Sequence, residues 1–265
     1  MNKILAFYTG LLNAWPMVID FRLPQFFIPA KKAAPTRKMQ LTAFPALGGI
    51  CGLILVVIGS LALHVFNPIA GSLLFAVLAV LLLEFKDSGR GLGLFLSLLL
   101  SQLNGTPWRD ALPRLSSDLN RPLTTPLAVV FLSLLEVTKL LFFFTLAFYG
   151  TKYWLVVVFC GSFAMQASLM LLPQAGKQIP FLTVSPDERH SLWYGVAPFA
   201  LLSLIYFPFA TIAAAAFFLI FQRFAERTLL DDFRGATADT ITLAGTITEY
   251  ALLVIGIFLA IHHLG

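Results

Sequence analysis

An all-α, polytopic transmembrane helical bundle of about six to eight spans is the fold class that the sequence predicts, and three observations predict it. Of the 265 residues 58% are apolar and only 12% charged, and the mean hydropathy is +0.86; a soluble domain has an apolar share near half and a charged share near a quarter. Several apolar runs approach the roughly 20 residues that a helix needs to cross a bilayer. The charged residues, 18 Lys and Arg against 13 Asp and Glu, sit mostly between those runs, so the excess of +5 reads as topology and a basic membrane face rather than as a nucleic-acid footprint. The whole chain, 1–265, is one transmembrane domain, with 1–42 an interfacial or cytoplasmic N-terminal segment and 43–265 the bundle.

The first element, Ile4 to Ile19, is apolar but broken by Gly10, Asn13 and Pro16. No small-residue cleavage signature follows, so it is expected to be an interfacial or re-entrant helix with Trp15 at headgroup depth, not a signal peptide. Spans are expected near 43–63, 67–85, 126–149, 153–172, 192–206, 208–221 and 243–262, delimited by Pro, Gly and charge. The stretch 91–103 is short for a span and reads as re-entrant or interfacial. Residues 192–221 fit either one long helix or two short ones, and Pro198 and Pro208 favour a break. Cys51 and Cys160 lie far apart inside apolar runs, as small buried thiols rather than a bridge or a metal site.

Charge assigns the faces. Segment 22–42 carries Arg22, Lys31, Lys32, Arg37 and Lys38 with no acid, so it is expected on the cytoplasmic side. Seven spans counted from there place 86–125, 174–191 and 222–242 on that same side, with nearly all the remaining charge. The opposite face keeps little beyond His64, Lys152, His262 and His263. Chemistry is therefore expected at the charged surface. No pair of corresponding broken helices marks an inverted-repeat transporter.

Four polar groupings could carry that chemistry. The most informative is 231–250, which opens on Asp231 and Asp232 and runs into an apolar span. At 100° per residue, Asp239, Thr242, Thr246 and Glu249 fall at about 0, 300, 340 and 280°, one stripe of a helix. An ionised group near the bilayer centre costs on the order of 2.5–3.5 kcal/mol, so Glu249 is expected to face a cavity or a partner. Two readings stay open: a packing stripe whose threonines bond their own backbone, or a cavity whose mouth offers Asp231, Asp232 and Asp239 to a divalent ion such as Mg²⁺. Arg223, Arg227 and Arg234 nearby would bind phosphate or form a solvated network.

In the second grouping, Glu136 and Lys139 share a helix face at i, i+3 and can neutralise each other. The third, Glu84 to Gly93, ends a span in Glu84, Lys86 and Asp87 and continues through Gly89, Arg90, Gly91 and Gly93. It is neither a Walker loop nor a Rossmann fingerprint. The segment 104–125 adds Arg109, Asp110, Arg114, Asp118 and Arg121, which would either close over an anionic substrate or mark the membrane surface.

With these segments in place the chain resembles the cobalamin synthase family, the adenosylcobinamide-GDP ribazoletransferases, collinearly over most of its length. Phe21-Arg22-Leu23-Pro24 resembles the family's T-R-x-P, and Phe44-Pro45-Ala46-Leu47-Gly48 through Gly52 resembles its F-P-L-x-G-x-x-x-G. Asp87 falls where H-L-D-G-x-A-D-x-x-D-G begins, Asp118 and Arg121 near D-S-R-x-G, and Arg234-Gly235-Ala236-Thr237-Ala238-Asp239 is similar to G-G-x-T-G-D, with Glu249 ten residues on. The acidic motif is incomplete: Gly91 and Leu94 stand at its second and third acids, Phe85 at its histidine, and Ala238 at the T-G-D glycine.

The resemblance implies a multi-pass transferase of the bacterial cytoplasmic (inner) membrane in cobalamin biosynthesis. It would use Mg²⁺ to join adenosylcobinamide-GDP to α-ribazole or its phosphate and release GMP, with its active face cytoplasmic. It implies Asp87 and Asp239 as metal ligands, with Asp118, Asp231 and Asp232 as further or substitute acids. It also implies Arg121, Arg234 and Lys139 as phosphate contacts, and Glu249 as the residue that shapes the cavity or assists proton removal. Its partners would be those two substrates and the lipid bilayer, with a homo-oligomer allowed and no nucleic acid. Two other classes compete: a non-catalytic homologue that binds a corrinoid or scaffolds other enzymes, and a small-solute transporter using Glu136, Lys139 and Glu249.

Overall fold

The computed structural model describes residues 2–18, 37–87, 90–111, 126–173, 190–231 and 235–262. Within them the chain is an all-α bundle: α1 (Asn2–Val18), α2 (Arg37–Val65), α3 (Pro68–Asp87), α4 (Arg90–Leu103), the single turn α5 (Trp108–Ala111), α6 (Pro126–Phe148), α7 (Trp154–Leu169), α8 (Ser191–Tyr206), α9 (Pro208–Asp231) and α10 (Ala238–His262). Four helices, Leu41–Val65, α6, α9 and α10, are long and apolar enough to cross a membrane. Shorter apolar helices fill the positions of the other expected spans. The molecule is accordingly a multi-pass membrane protein.

The bundle is organised around α7. Its 16 residues cover about 24 Å at 1.5 Å per residue, less than the hydrocarbon thickness, and nearly all are buried. Such a helix is hydrophobic all round because it meets other helices on every side: α2 and α10 above all, then α8 and α9. The α2 contact depends on glycine. A Cβ added at Gly52 would lie 2.6 Å from the Val156 Cα, and one at Gly48 would collide with the Phe159 carbonyl. Two glycines four apart thus remove the side chains that would hold the backbones apart, the small-xxx-small solution to packing where apolar burial supplies no drive.

The other elements follow the sequence reading, with three refinements. Residues 192–221 form two helices: Phe207, the residue that follows α8, leaves the helical region at φ −139° and ψ 63°, and Pro208 opens α9, where its missing N–H is not needed. Pro198 stays inside α8. Helix α9 runs on to Asp231, ten residues past the expected end of its span, because Gln222, Arg223, Glu226 and Arg227 extend it as a polar helix. Helix α1 packs on α2, with Ala6, Thr9 and Gly10 buried and Ile4 exposed, as a one-sided helix does; the Trp15 side chain lies outside the described residues. Cys51 and Cys160 are not joined in a disulfide, and are half-buried and buried.

Contacts between helix ends put the starts of α2 and α8 together, and the starts of α4 and α10 with the ends of α7 and α9. The Thr42 hydroxyl donates to the Ser191 carbonyl at 2.8 Å, and the Ala236 N–H donates to the Pro173 carbonyl at 2.8 Å.

Candidate functional site

The start of α10 is built by its own sequence. Thr237 caps the helix reciprocally with Thr240: the Thr240 N–H donates to the Thr237 hydroxyl at 3.2 Å, and the Thr237 N–H donates to the Thr240 hydroxyl at 2.9 Å. Each side chain satisfies one orphan donor of the first turn, as in a capping box. Gly235, at φ 147°, lets the chain fold back so that its N–H reaches the Leu229 carbonyl at 2.8 Å; that φ belongs to glycine. Asp239 sits in the first turn, where the helix dipole favours a carboxylate, and it is buried.

Its partner comes from the other side of the chain. The Arg90 guanidinium, at the start of α4, donates from Nε to the Asp239 Oδ1 at 3.0 Å and from Nη2 to the same oxygen. The Arg90 side chain is 52% exposed and that of Asp239 13%, so the pair lies at the rim, carboxylate inside and guanidinium outside. From there α4 runs along α10: Leu94 packs on Leu243, and the Phe95 and Tyr250 rings lie 5.4 Å apart. Gly91, Leu92, Gly93, Leu94 and Leu96 are buried, which gives the expected short interfacial piece a defined face against the bundle.

Deeper along α10 lies the second charge pair. Lys139 Nζ of α6 stands 3.8 Å from Glu249 Oε1, and both side chains are almost wholly buried, at 5% and 3% exposure. The ammonium also sits 5.5 Å from the centre of the Tyr250 ring, an attraction that strengthens when water is excluded. Both residues occupy the middle of their helices, so the pair lies near the bilayer centre, where an ionised group needs such a partner.

Between the two pairs runs the polar stripe read from the sequence. Thr246 is buried and Thr242 half-buried. Their hydroxyls donate to the carbonyls four residues back, at 3.1 Å to Thr242 and 2.9 Å to Ala238. This is the self-bonded threonine arrangement of the packing reading. Ten residues separate Asp239 from Glu249 on one continuous helix, about 15 Å along the axis. The two acids therefore belong to two levels, rim and mid-membrane, and do not meet at one atom.

The α7 face of α10 is held by polar contacts that sequence patterning did not single out. The buried Ser162 hydroxyl donates to the Gly245 carbonyl at 2.9 Å, and the Gln166 side chain fills the space that a Cβ at Gly245 would need. Arg90 is the other residue given no role in advance. Its signal was available: an arginine that opens a short apolar helix needs a carboxylate, and Asp239 was already on the inward stripe.

Of the remaining expected site residues, Asp231 is exposed at the end of α9. Asp118, Arg121, Asp232 and Arg234, and the side chain of Asp87, lie outside the described residues. Among the described residues no group of three His, Cys, Asp or Glu forms a metal site. Arg223 pairs with Glu226 at 3.8 Å while its side chain is 79% exposed, the solvated network of the two readings. No family model, curated protein or solved structure matches the chain.

Proposed function

We propose that this protein is a membrane transferase that joins adenosylcobinamide-GDP to α-ribazole, or to its phosphate, with release of GMP. One observation carries the reading. The two segments that resemble the family's acidic motifs, 87–93 and 234–239, are 149 residues apart between Arg90 and Asp239 yet are bonded to each other through these residues at one rim. That adjacency is what a site assembled from both motifs requires. The reading places this rim on the cytoplasmic face of a bacterial inner membrane, in keeping with the basic segment 22–42.

Mg²⁺ fits the donor chemistry in part. Asp239, whose Oδ1 already accepts from Arg90, and Asp231 would offer carboxylate oxygens, and Asp87, Asp118 and Asp232 would complete a set suited to a cation that prefers one or two carboxylates plus substrate phosphates. When bound, the ion would neutralise the charge of the diphosphate. Arg90 joins Arg121 and Arg234 as a phosphate contact, since its exposed guanidinium can exchange a carboxylate for a phosphate oxygen. Lys139 and Glu249 enter in a different capacity. They neutralise each other about 15 Å below the rim, beyond the reach a general base needs, and shape the floor of the site.

Purified full-length protein given adenosylcobinamide-GDP, α-ribazole and Mg²⁺ should release GMP, and Asp239→Asn should remove that activity. Absence of GMP release from the folded protein would overturn the reading. Corrinoid binding without turnover would instead support a non-catalytic homologue, the outcome that the incomplete acidic motif favours. The buried pair of Lys139 and Glu249 favours a second reading, a small-solute transporter with a mid-membrane ionic site. It requires uptake into proteoliposomes that Glu249→Gln abolishes.

A further inference from the structure

Away from the two charge pairs, α7, α8 and α9 diverge around a cavity of about 240 Å³ whose lining is almost entirely apolar. Its floor consists of the buried residues Cys160, Ala164 and Ala214, with Gly161 beside them and Leu252 of α10 at its base; Trp193, Phe199 and Phe218 form its walls. Small residues below and aromatic rings at the sides leave a slot. Thr211 is a polar side chain in the lining, and its hydroxyl is already engaged, donating to the Phe207 carbonyl at 2.8 Å and bonded to the Ser203 hydroxyl. The slot thus offers no convergent donors or acceptors to water or to a polar ligand, and apolar cavities of this kind stay dry.

The mouth opens on an exposed apolar surface. Ala197 of α8 and Ala215 of α9 line the cavity and are exposed, and the outer surfaces of these helices carry the exposed Leu201, Ile205, Ile212 and Ile220. Helix α9 is long and apolar enough to cross a membrane, and along such a helix an exposed apolar surface meets lipid tails, so hydrocarbon is the material on offer at the mouth. A slot left unfilled forfeits the dispersion contacts of its whole lining.

We propose that the slot between α7, α8 and α9 is a binding site for one acyl chain of a bilayer phospholipid, held individually rather than as part of the exchanging lipid annulus. A straight chain enters between Ala197 and Ala215 and lies against the Trp193 and Phe218 rings, which meet edge to face with centres 5.9 Å apart. The lipid then fills the gap left beside the direct contacts that α7 makes with α8 and α9.

Trp193 provides the readout. The full chain in detergent is titrated with phosphatidylcholine dibrominated at mid-chain, whose bromines quench tryptophan on contact. A saturable loss of fluorescence complete near one lipid per chain is expected, absent from Trp193→Phe. Ala197→Phe or Ala215→Phe, both at the exposed mouth, should each remove that component and leave only the gradual quenching of annular lipid. Native mass spectrometry of the same samples should show one retained phospholipid in the parent protein and none in the mouth variants. Quenching without a saturable component would overturn the assignment, as would a saturable component that survives both alanine substitutions in folded protein.

Discussion

Arg90 and Asp239 hold the start of α4 against the start of α10 through two hydrogen bonds to one carboxylate oxygen, with 149 residues of chain between them. The carboxylate is favoured twice, by the guanidinium and by the N-terminal turn in which it sits.

Removing either partner should therefore have unequal effects. Arg90→Ala loses a pair whose cationic half is largely solvated, and should cost at most about 1 kcal/mol. Asp239→Asn loses the same pair and the charge at the helix N-terminus, a further ~0.3–1 kcal/mol. Unfolding in detergent should rank Asp239→Asn as the more destabilised, and hydrogen exchange across Leu92 to Leu96 should rise in both. Equal protection of α4 in the variants and the parent would show that the helix is held by its apolar face alone.

The buried pair should behave differently. Glu249→Gln or Lys139→Met each breaks a buried ion pair by removing one partner, a loss of about 3–5 kcal/mol. The double substitution Lys139→Met with Glu249→Leu removes both charges and should recover most of it. A double-mutant cycle on thermal unfolding in detergent measures the coupling. Additive losses would mean that each residue is satisfied by groups other than its partner.

At the α2 and α7 contact, Gly52→Ala puts a methyl group against the backbone of Val156, 2.6 Å from its Cα. Backbone cannot step aside as a side-chain tip can, so the helices must separate, at about 1–3 kcal/mol. Gly52→Leu should prevent assembly of the bundle, seen as loss of the monodisperse species in size-exclusion chromatography. Gly105→Ala, at a turn with open space around it but φ 73°, should cost only the strain of its backbone.

Lys152, in the turn before α7, carries the remaining titration. Burial lowers its pKa below the ordinary 10.5, because desolvation disfavours the ammonium. The folded state then releases this proton at lower pH than the unfolded state. The penalty is present in full below the folded pKa and fades as pH rises from there to 10.5, so stability rises with pH in that window. Lys152→Gln should flatten this part of the stability profile and leave the protein at least as stable at neutral pH.

Much of the bundle was legible because apolar run length and proline position are local properties: α3, α6, α7 and α8 begin and end within about three residues of their expected limits, α2 and α10 end where expected but begin earlier, at Arg37 and Ala238, because polar residues extend the helix beyond the apolar run, and Pro208 ends α8 where ring sterics require. The inward stripe of α10 was legible for the same reason, since 100° per residue is a property of that helix alone. What periodicity does not carry is the rotation of the neighbouring helix. Lys139 shares a face with Glu136, and the sequence offered that neighbour as a partner; packing of α6 on α10 also brings Glu249 within 3.8 Å of it, a contact that no single helix encodes. Arg90 and Asp239 are joined by the same kind of relationship. So are Ser162 and Gln166 with Gly245, where the recognisable feature of the contact is a side chain that is missing.

That missing side chain has a reach beyond its own contact. Gly48 and Gly52 seat α7 on α2, and Gly245 beneath Gln166 seats α10 on α7, so both acids of α10 take their positions from a relay of two close approaches. A methyl group gained at either joint would shift the rim carboxylate without touching it. Tolerances at the charged face are thus set deep in the hydrocarbon, by residues that carry no chemistry of their own.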